Sequence, residues 1–337
     1  MRVLVTGGAG YIGSVVAEYL LQDGHAVTVL DNLSKGSEQA VPSAAEFVLG
    51  DTGDEAALDM IFQAGRFEAV LHFAGFIEAA ESVIHPEIYF DNNAARTLTL
   101  LRVMLKHGVL RFVFSSTAAV YGEPKHLPIT EDDPLEPTNP YGQSKLIAEQ
   151  MLVWLHRAYG LRYASLRYFN AGGAMPERGE AHRPETHLIP LVLQTALGQR
   201  PSVAINGTDY PTKDGTCVRD FIHVGDLASA HVLALRGLEQ HAQLVLNLGS
   251  GSGFSVRQII EVSGRVTGRR IPVVERPRRS GDTAVLVASS DKIRRLLGWT
   301  PRQSDIETII RSSWEWLRSH PRGYESRNQA SAVAVRT

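Results

Sequence analysis

The sequence predicts an α/β fold: a Rossmann-type doubly wound parallel sheet with a smaller C-terminal lobe. Three observations predict it. Short apolar runs alternate with segments of helical period up to about Phe169. Gly7, Gly10 and Gly13 sit where the first run gives way to the first helical segment. The chain has 337 residues, 44% of them hydrophobic and 21% charged, which is ordinary globular composition and enough for one large domain or two smaller ones.

Residues 2–5, 26–30, 46–49, 69–73, 111–115 and 162–167 read as strands. Their β-branched and aromatic content, apolar on both faces, suits a buried parallel sheet. Helical period places helices near 11–23, 54–64, 86–107 and 140–158. The texture changes after Asn170. Residues 171–185 are rich in Gly, Pro and charge and read as an irregular loop. Helices follow near 187–198, 226–238, 255–267 and 304–318, with strands near 203–205, 244–248 and 272–274. The division expected is 1–170 as the first domain, 171–319 as a smaller lobe interleaved with its end, and 320–337 as a flexible, polar tail.

Composition excludes several classes of function. Net charge is −2 with pI near 6.6, so no global basic field points to nucleic acid or an anionic membrane. The lone Cys217 cannot form a disulfide within the chain and reads as a small packed apolar residue. No apolar run approaches the ~20 residues of a membrane span. The N-terminus reads as an immediate strand without a signal peptide's apolar core. A cytoplasmic enzyme is expected.

The glycine spacing G-x-x-G-x-x-G at Gly7, Gly10 and Gly13 permits a tight turn and lets backbone N–H groups approach a pyrophosphate at a helix N-terminus. Asp31 ends the second strand. An acid there accepts from the adenosine ribose hydroxyls and repels a 2′-phosphate, which favours NAD over NADP; Lys35 is the dissenting cation. Asp51, after the third strand, reads either as an acceptor for the adenine amino group or as the N-cap of the helix from about Gly53. Ala74 and Gly75 are small and let the chain pass close to a dinucleotide.

Tyr141 and Lys145 open a helix with Tyr-x-x-x-Lys spacing, which puts both side chains on one face. A phenol of pKa ~10 needs about 4 kcal/mol of differential stabilisation to act as a base near pH ~7. Lys145 and a positive nicotinamide ring are the expected sources. Thr117 ends the fifth strand, at the edge where open parallel sheets bind ligands, and its hydroxyl can bridge a substrate oxygen to Tyr141.

These stretches resemble the extended short-chain dehydrogenase/reductase family and, within it, the UDP-glucose 4-epimerases. The resemblance runs from about residue 2 to about residue 318. It is carried by VTGGAGYIG at 5–13, LDNL at 30–33, HFAG at 72–75, DNN at 91–93, FSSTAAVYG at 114–122, NPYGQSK at 139–145 and RYFN at 167–170. More specific to the epimerases are DYPTKDGT at 209–216, VRDFIHV at 218–224 and RRSGD at 278–282. Related dehydratases carry an acid pair where Ala118 and Ala119 stand, which argues against elimination chemistry.

The resemblance implies NAD-dependent interconversion of UDP-glucose and UDP-galactose through a 4-keto sugar. It implies Tyr141, Lys145 and Thr117 as the catalytic set. It extends the NAD-binding set to Tyr11, Ile12, Asn32, Thr52, Phe73, Asn92, Ser115 and Tyr168. Asn170, His187, Leu188, Asn206, Arg219, Arg279 and Asp282 are implied to hold the UDP-sugar, making the smaller lobe the substrate-binding one. The two arginines suit a diphosphate bidentately. His223 reads as a packed histidine. The histidines show no metal-ligand spacing, and no metal is expected. A homodimer through the helices near 86–107 and 140–158 is implied.

The chain departs from the family at three places. Ile77 replaces a Lys that contacts the cofactor, in Phe76-Ile77-Glu78 where many relatives have Leu-Lys-Ala. Asn206 stands where an aromatic residue often stacks on uracil. Leu286 occupies the position that gates N-acetyl sugars in relatives and is intermediate in size. The alternatives are a 4-epimerase of UDP-xylose/UDP-arabinose, UDP-glucuronate or a UDP-N-acetylhexosamine, and a non-catalytic NAD-binding regulator. The intact Thr117, Tyr141 and Lys145 weigh against the regulator.

Overall fold

In β1 (Arg2–Thr6), Val3 and Val5 are buried on one face and Leu4 on the other. Such a strand needs a covering layer on both sides, and the computed structural model, which describes residues 1–279 and 282–324, supplies it. The strands that follow are β2 (Ala26–Asp31), β3 (Glu46–Leu49), β4 (Ala69–His72), β5 (Arg111–Thr117), β6 (Arg162–Tyr168), β7 (Asn170–Gly172), β8 (Val203–Asn206), β9 (Val218–His223), β10 (Gln243–Leu248), β11 (Gly253–Ser255), β12 (Val273–Arg276) and β13 (Val285–Leu286). Seven of them form one parallel sheet in the order β10-β6-β5-β4-β1-β2-β3. Chain order reverses between β1 and β4, and that switch point opens a crevice at the carboxyl ends of the strands.

One core cluster joins Val3, Val5, Leu20, Val29, Leu71, Leu227 and Leu246 on one face of the sheet. The other joins Leu4, Leu30, Leu58, Phe62, Leu100, Phe112 and Phe114 on the opposite face. The second lobe builds its own core from Ile189, Leu193, Phe221, Ile259, Ile309 and Trp316. Its strand β9 carries β7 and β13 in parallel and β11 antiparallel, while β8 and β12 pair separately. The helix Val224–Gly237 and β10 return to the first sheet, so the lobes are interleaved in sequence.

Several expectations need correction. The helix expected over 86–107 is divided into Pro86–Tyr89, a wide π turn at Phe90–Ala95, and Arg96–Lys106. The turn carries Asn92 and Asn93 toward the site, a common use of such bulges. The helix Glu55–Gly65 is capped by Asp54, which accepts from Ala57 N, not by Asp51. The loop expected over 171–185 begins as β7, and β9, β11, β13 and the short helices Ala79–Ile84 and Asp291–Leu297 had no sequence assignment. These pieces are too short, or too dependent on β9, to show a period of their own.

The expected flexible tail begins docked. Tyr324 packs on Trp316 with ring centroids 5.5 Å apart, its hydroxyl accepts from Gly179 N at 3.1 Å, and Pro321 O accepts from Gln199 at 2.8 Å. Residues 325–337 of that tail lie outside the described residues. No helix among the described residues is long and apolar enough to cross a membrane.

Candidate active site

The glycine turn leaves β1 with Gly7 at φ +71°, a left-handed conformation that favours glycine. A Cβ at Gly7 would lie 2.4 Å from Ala74 N, and one at Gly13 would lie 2.3 Å from Gly7 O. The turn therefore presents bare backbone to the crevice at the N-terminus of the helix Tyr11–Gln22. Asp31 at the end of β2 braces it, accepting from Ala9 N at 3.0 Å and Leu33 N at 2.8 Å. Burial raises the Asp31 carboxyl pKa, and those backbone bonds only partly offset it. Asp51 accepts from Gly53 N, Asn32 and Arg96 at 2.7–2.8 Å; burial pushes it up, but these partners outweigh burial and hold it below the ordinary range.

Lys35, the cation that weighed toward a 2′-phosphate, is paired with Glu78 at 3.1 Å. With Lys35 so paired, Asp31 lines the cavity beside the glycine turn, and the residues present fit NAD.

The helix Pro140–Tyr159 starts where its sequence dictates. Asn139 caps it by accepting from Gly142 N at 2.9 Å, Pro140 takes the first turn, and Gly160 ends it at φ +73°. Tyr141 is pinned by Ser82 Oγ, which accepts from Tyr141 N at 3.1 Å, and by Ser144, which donates to Tyr141 O at 2.8 Å. Asn93 in turn donates to Ser144 at 3.1 Å. Lys145 is 3% exposed, donates to Ser115 O at 3.0 Å and lies 4.9 Å from the Phe114 ring centroid. Gly75 makes room for it: a Cβ there would stand 3.1 Å from Lys145 Nζ. Thr117 pairs in register with Tyr168, whose hydroxyl donates to Ser115.

The electrostatics differ from expectation. In the protein alone, burial raises the Tyr141 pKa, the Glu78 charge adds to the rise, and a hydrogen bond with Thr117 opposes it. Burial lowers Lys145 to about 8. The lysine is directed at Ser115 O and does not by itself make the phenol acidic. Glu78, one residue after the Ile77 that replaces the family lysine, is an acid that sequence reading passed over.

On the second lobe, Arg219 leaves β9 beside Asp282, with 3.9 Å between Nη2 and Oδ1. In the amide orientation that satisfies both groups, Asn206 accepts from Arg279 at 2.7 and 3.0 Å, so it acts as a guanidinium clamp. One cavity of about 840 Å³ joins the two lobes. Its wall holds Gly7, Gly10, Tyr11, Ile12, Gly13, Asp31, Asn32, Asp51, Thr52, Phe73, Ala74, Gly75, Asn92, Ser115, Thr117, Tyr141, Lys145 and Tyr168 from the first lobe. From the side of the second lobe come Asn170, His187, Leu188, Asn206, Arg219, Arg279 and Asp282. Every residue assigned from the sequence to catalysis, NAD or the UDP-sugar therefore lines one wall or the other.

Leu286 is not on that wall. It packs against the cluster of Ala118, Val120, Tyr121 and Phe169, so it touches the cavity only through its neighbours. His223 is 1% exposed; its Nδ1 accepts from Gly225 N at 3.0 Å, and its Nε2 lies 3.1 Å from Ser312 Oγ.

Sequence spacing does not show which histidines the fold brings together. The loop at 180–187 folds back and brings donor atoms of Glu180, His182 and His187 within 4.8 Å of one another. Burial disfavours protonation of both histidines, but Glu180 and Glu185 outweigh it, and His187 is raised to about 9.

A glycine turn after β1, an acid ending β2 and a Tyr–Lys pair one helical turn apart at the crevice define the dinucleotide-binding α/β class of enzymes. A family model described as the NAD dependent epimerase/dehydratase family matches residues 3–249. The chain is 53% identical to the UDP-glucose 4-epimerase of Halalkalibacterium halodurans over 98% of this chain and 99% of that one. A crystal structure of UDP-glucose 4-epimerase from Brucella ovis in complex with NAD superposes with a TM-score of 0.91 at 46% identity, covering 96% of this chain and 99% of that one. The Bifidobacterium longum UDP-glucose 4-epimerase, in complex with NAD+ and UDP, superposes with a TM-score of 0.92 at 40% identity, covering 96% and 100%. The chain belongs to the NAD-dependent epimerase/dehydratase family, and within it is an epimerase.

Proposed function

We propose that the chain interconverts UDP-glucose and UDP-galactose by inverting C4 of the hexose. NAD, when bound, supplies the two-electron acceptor and donor for the transient 4-keto sugar. Tyr141 takes the proton from the sugar 4-hydroxyl, directly or through Thr117, and returns it after the hexose has turned over. Lys145 holds the nicotinamide ribose and, with the oxidised ring, offsets the burial that keeps the phenol protonated in the protein alone. Arg219 and Arg279 grip the diphosphate and Asp282 the uridine ribose. Binding energy then falls on the part of the substrate that does not react, and the hexose stays free to rotate.

The observation that carries this reading is the single cavity shared by the Tyr141–Lys145 pair and the Arg219–Arg279 wall. Incubating purified protein separately with UDP-galactose, UDP-N-acetylgalactosamine and UDP-arabinose tests it. The expected result is C4 inversion fastest with UDP-galactose; inversion only of one of the other two would replace the substrate assigned.

We further infer a cytoplasmic homodimer. Supporting the dimer, Leu98 and Trp154 are 39% and 66% exposed on the two helices that the family resemblance assigns to the interface. Sedimentation of the purified chain tests it, and a monomer at all concentrations removes it.

A further inference from the structure

Within eight residues the loop between β7 and the helix Leu188–Ala196 carries Glu180, His182, Glu185 and His187. The side chains of Glu180, His182 and Glu185 are largely covered, at 12%, 17% and 7% exposed, while His187 is 38% exposed. Glu180 bonds His182 through Oε1 and stands 3.9 Å from His187 Nδ1 through Oε2. The imidazole centroids are 5.5 Å apart. Glu185 accepts from Thr186 N at 2.8 Å and His187 N at 2.7 Å, and its Oε1 also lies 2.8 Å from His187 Nδ1. An anchored carboxylate against a histidine nitrogen is the arrangement that orients metal-binding imidazoles.

We propose that Glu180, His182 and His187 form a binding site for a first-row divalent cation, Zn²⁺ foremost, with Glu185 as the outer carboxylate that orients His187. The donor chemistry fits: two imidazoles and a carboxylate suit zinc, and the Glu180–Glu185 pair neutralises a double charge. Zinc bonds of ~2.0–2.2 Å in a tetrahedron separate ligand atoms by roughly 3.4 Å, so donors within 4.8 Å of one another shift by at most about 1.4 Å, the wider pairs closing and the hydrogen-bonded Glu180–His182 pair opening. All four residues also line the cavity, which leaves the remaining coordination position open toward it. A bound ion would staple this loop and fix His187 and Leu188 on the substrate side.

The test uses the untagged full chain, stripped with a chelator and titrated with Co²⁺ as a spectroscopic stand-in for Zn²⁺. Expected are visible absorption bands that saturate at one ion per chain and vanish when Zn²⁺ is added. His182→Ala and Glu180→Gln should each weaken binding on the order of 100-fold or more, beyond what loss of an outer partner does. His85→Ala, at an exposed histidine elsewhere, should leave it unchanged. Zn²⁺ should also protect His182 and His187 of the unmutated chain from acylation, a readout that needs no variant to fold. No bands at millimolar Co²⁺, or bands and protection indifferent to the loop residues, overturn the proposal.

Discussion

On the first-lobe wall of the cavity, the groups that face it are fixed by backbone. Gly7 and Gly13 lie against main-chain atoms, Asp31 is held by two amides, and Tyr141 sits in the capped first turn of a long helix. On the second-lobe wall the groups are polar and charged side chains that hold one another: Arg219 against Asp282 and Arg279 against Asn206. The first wall suits chemistry, where a displacement of about 1 Å can cost on the order of 10²-fold in rate. The second suits a grip on a flexible diphosphate, where planar guanidinium groups tolerate small shifts and still bind bidentately.

The largest expected effect tests the first wall at its chemical centre. Tyr141→Phe keeps the ring, its packing against Tyr89 and the backbone bonds, and removes only the hydroxyl. Turnover should fall by about 10²–10⁴-fold, the span of general acid–base contributions, with NAD content unchanged. Near-normal turnover would move the base elsewhere. Next comes Gly13→Ala, which drives a Cβ into Gly7 O. Strain of ~1–3 kcal/mol should weaken NAD binding roughly 10- to 100-fold while circular dichroism stays native. Unaltered NAD affinity would mean that the turn yields, and that backbone does not fix this wall.

Arg219→Ala sharpens the contrast from the other side. Its guanidinium is 16% exposed and leaves the chemistry untouched in the proposed scheme. Loss of a charged hydrogen bond worth ~1.5–3 kcal/mol should raise KM for the UDP-sugar by about 10- to 100-fold at nearly constant kcat. A fall in kcat at constant KM would instead make the second wall part of the transition-state machinery.

The same contrast explains what was legible beforehand. The first wall is written in contiguous stretches: the glycine spacing, Asp31 and the Tyr-x-x-x-Lys pair each lie within one turn or one strand end, where periodicity and capping rules operate. The second wall depends on β9, a strand with partners on both sides drawn from residues 170–172, 253–255 and 285–286. No local rule finds it, and Arg219, Arg279 and Asp282 came from family resemblance alone. Glu78 and the 180–187 cluster escaped for a related reason. Their meaning lies in what folds against them: Lys35 from a distant loop in one case, a doubled-back chain in the other. Misreadings arose where a continuous period hid a break, as at the π turn carrying Asn92.

The smallest expected effect concerns Lys145, which belongs to the first wall but behaves unlike its neighbours. Burial holds its pKa at about 8 in the protein alone, where its ammonium donates to Ser115 O and lies over the Phe114 ring. Ribose hydroxyls of a bound dinucleotide add acceptors for the charged form and raise that pKa. The charged form is then the one in the complex. Below pH 8 the free protein already carries the proton, and affinity for NAD is independent of pH on this account. Above it the proton must be taken up on binding, so affinity should fall by up to about tenfold per pH unit, or ~1.4 kcal/mol, until the pKa of the complex is reached. Titration calorimetry at pH 9 in buffers of different ionisation enthalpy should register uptake approaching one proton. The Lys145→Met variant should bind NAD more weakly with that pH dependence gone. A flat affinity between pH 7 and 10 in the unmutated chain would show that the lysine keeps its proton without the cofactor, and that burial does not set its charge.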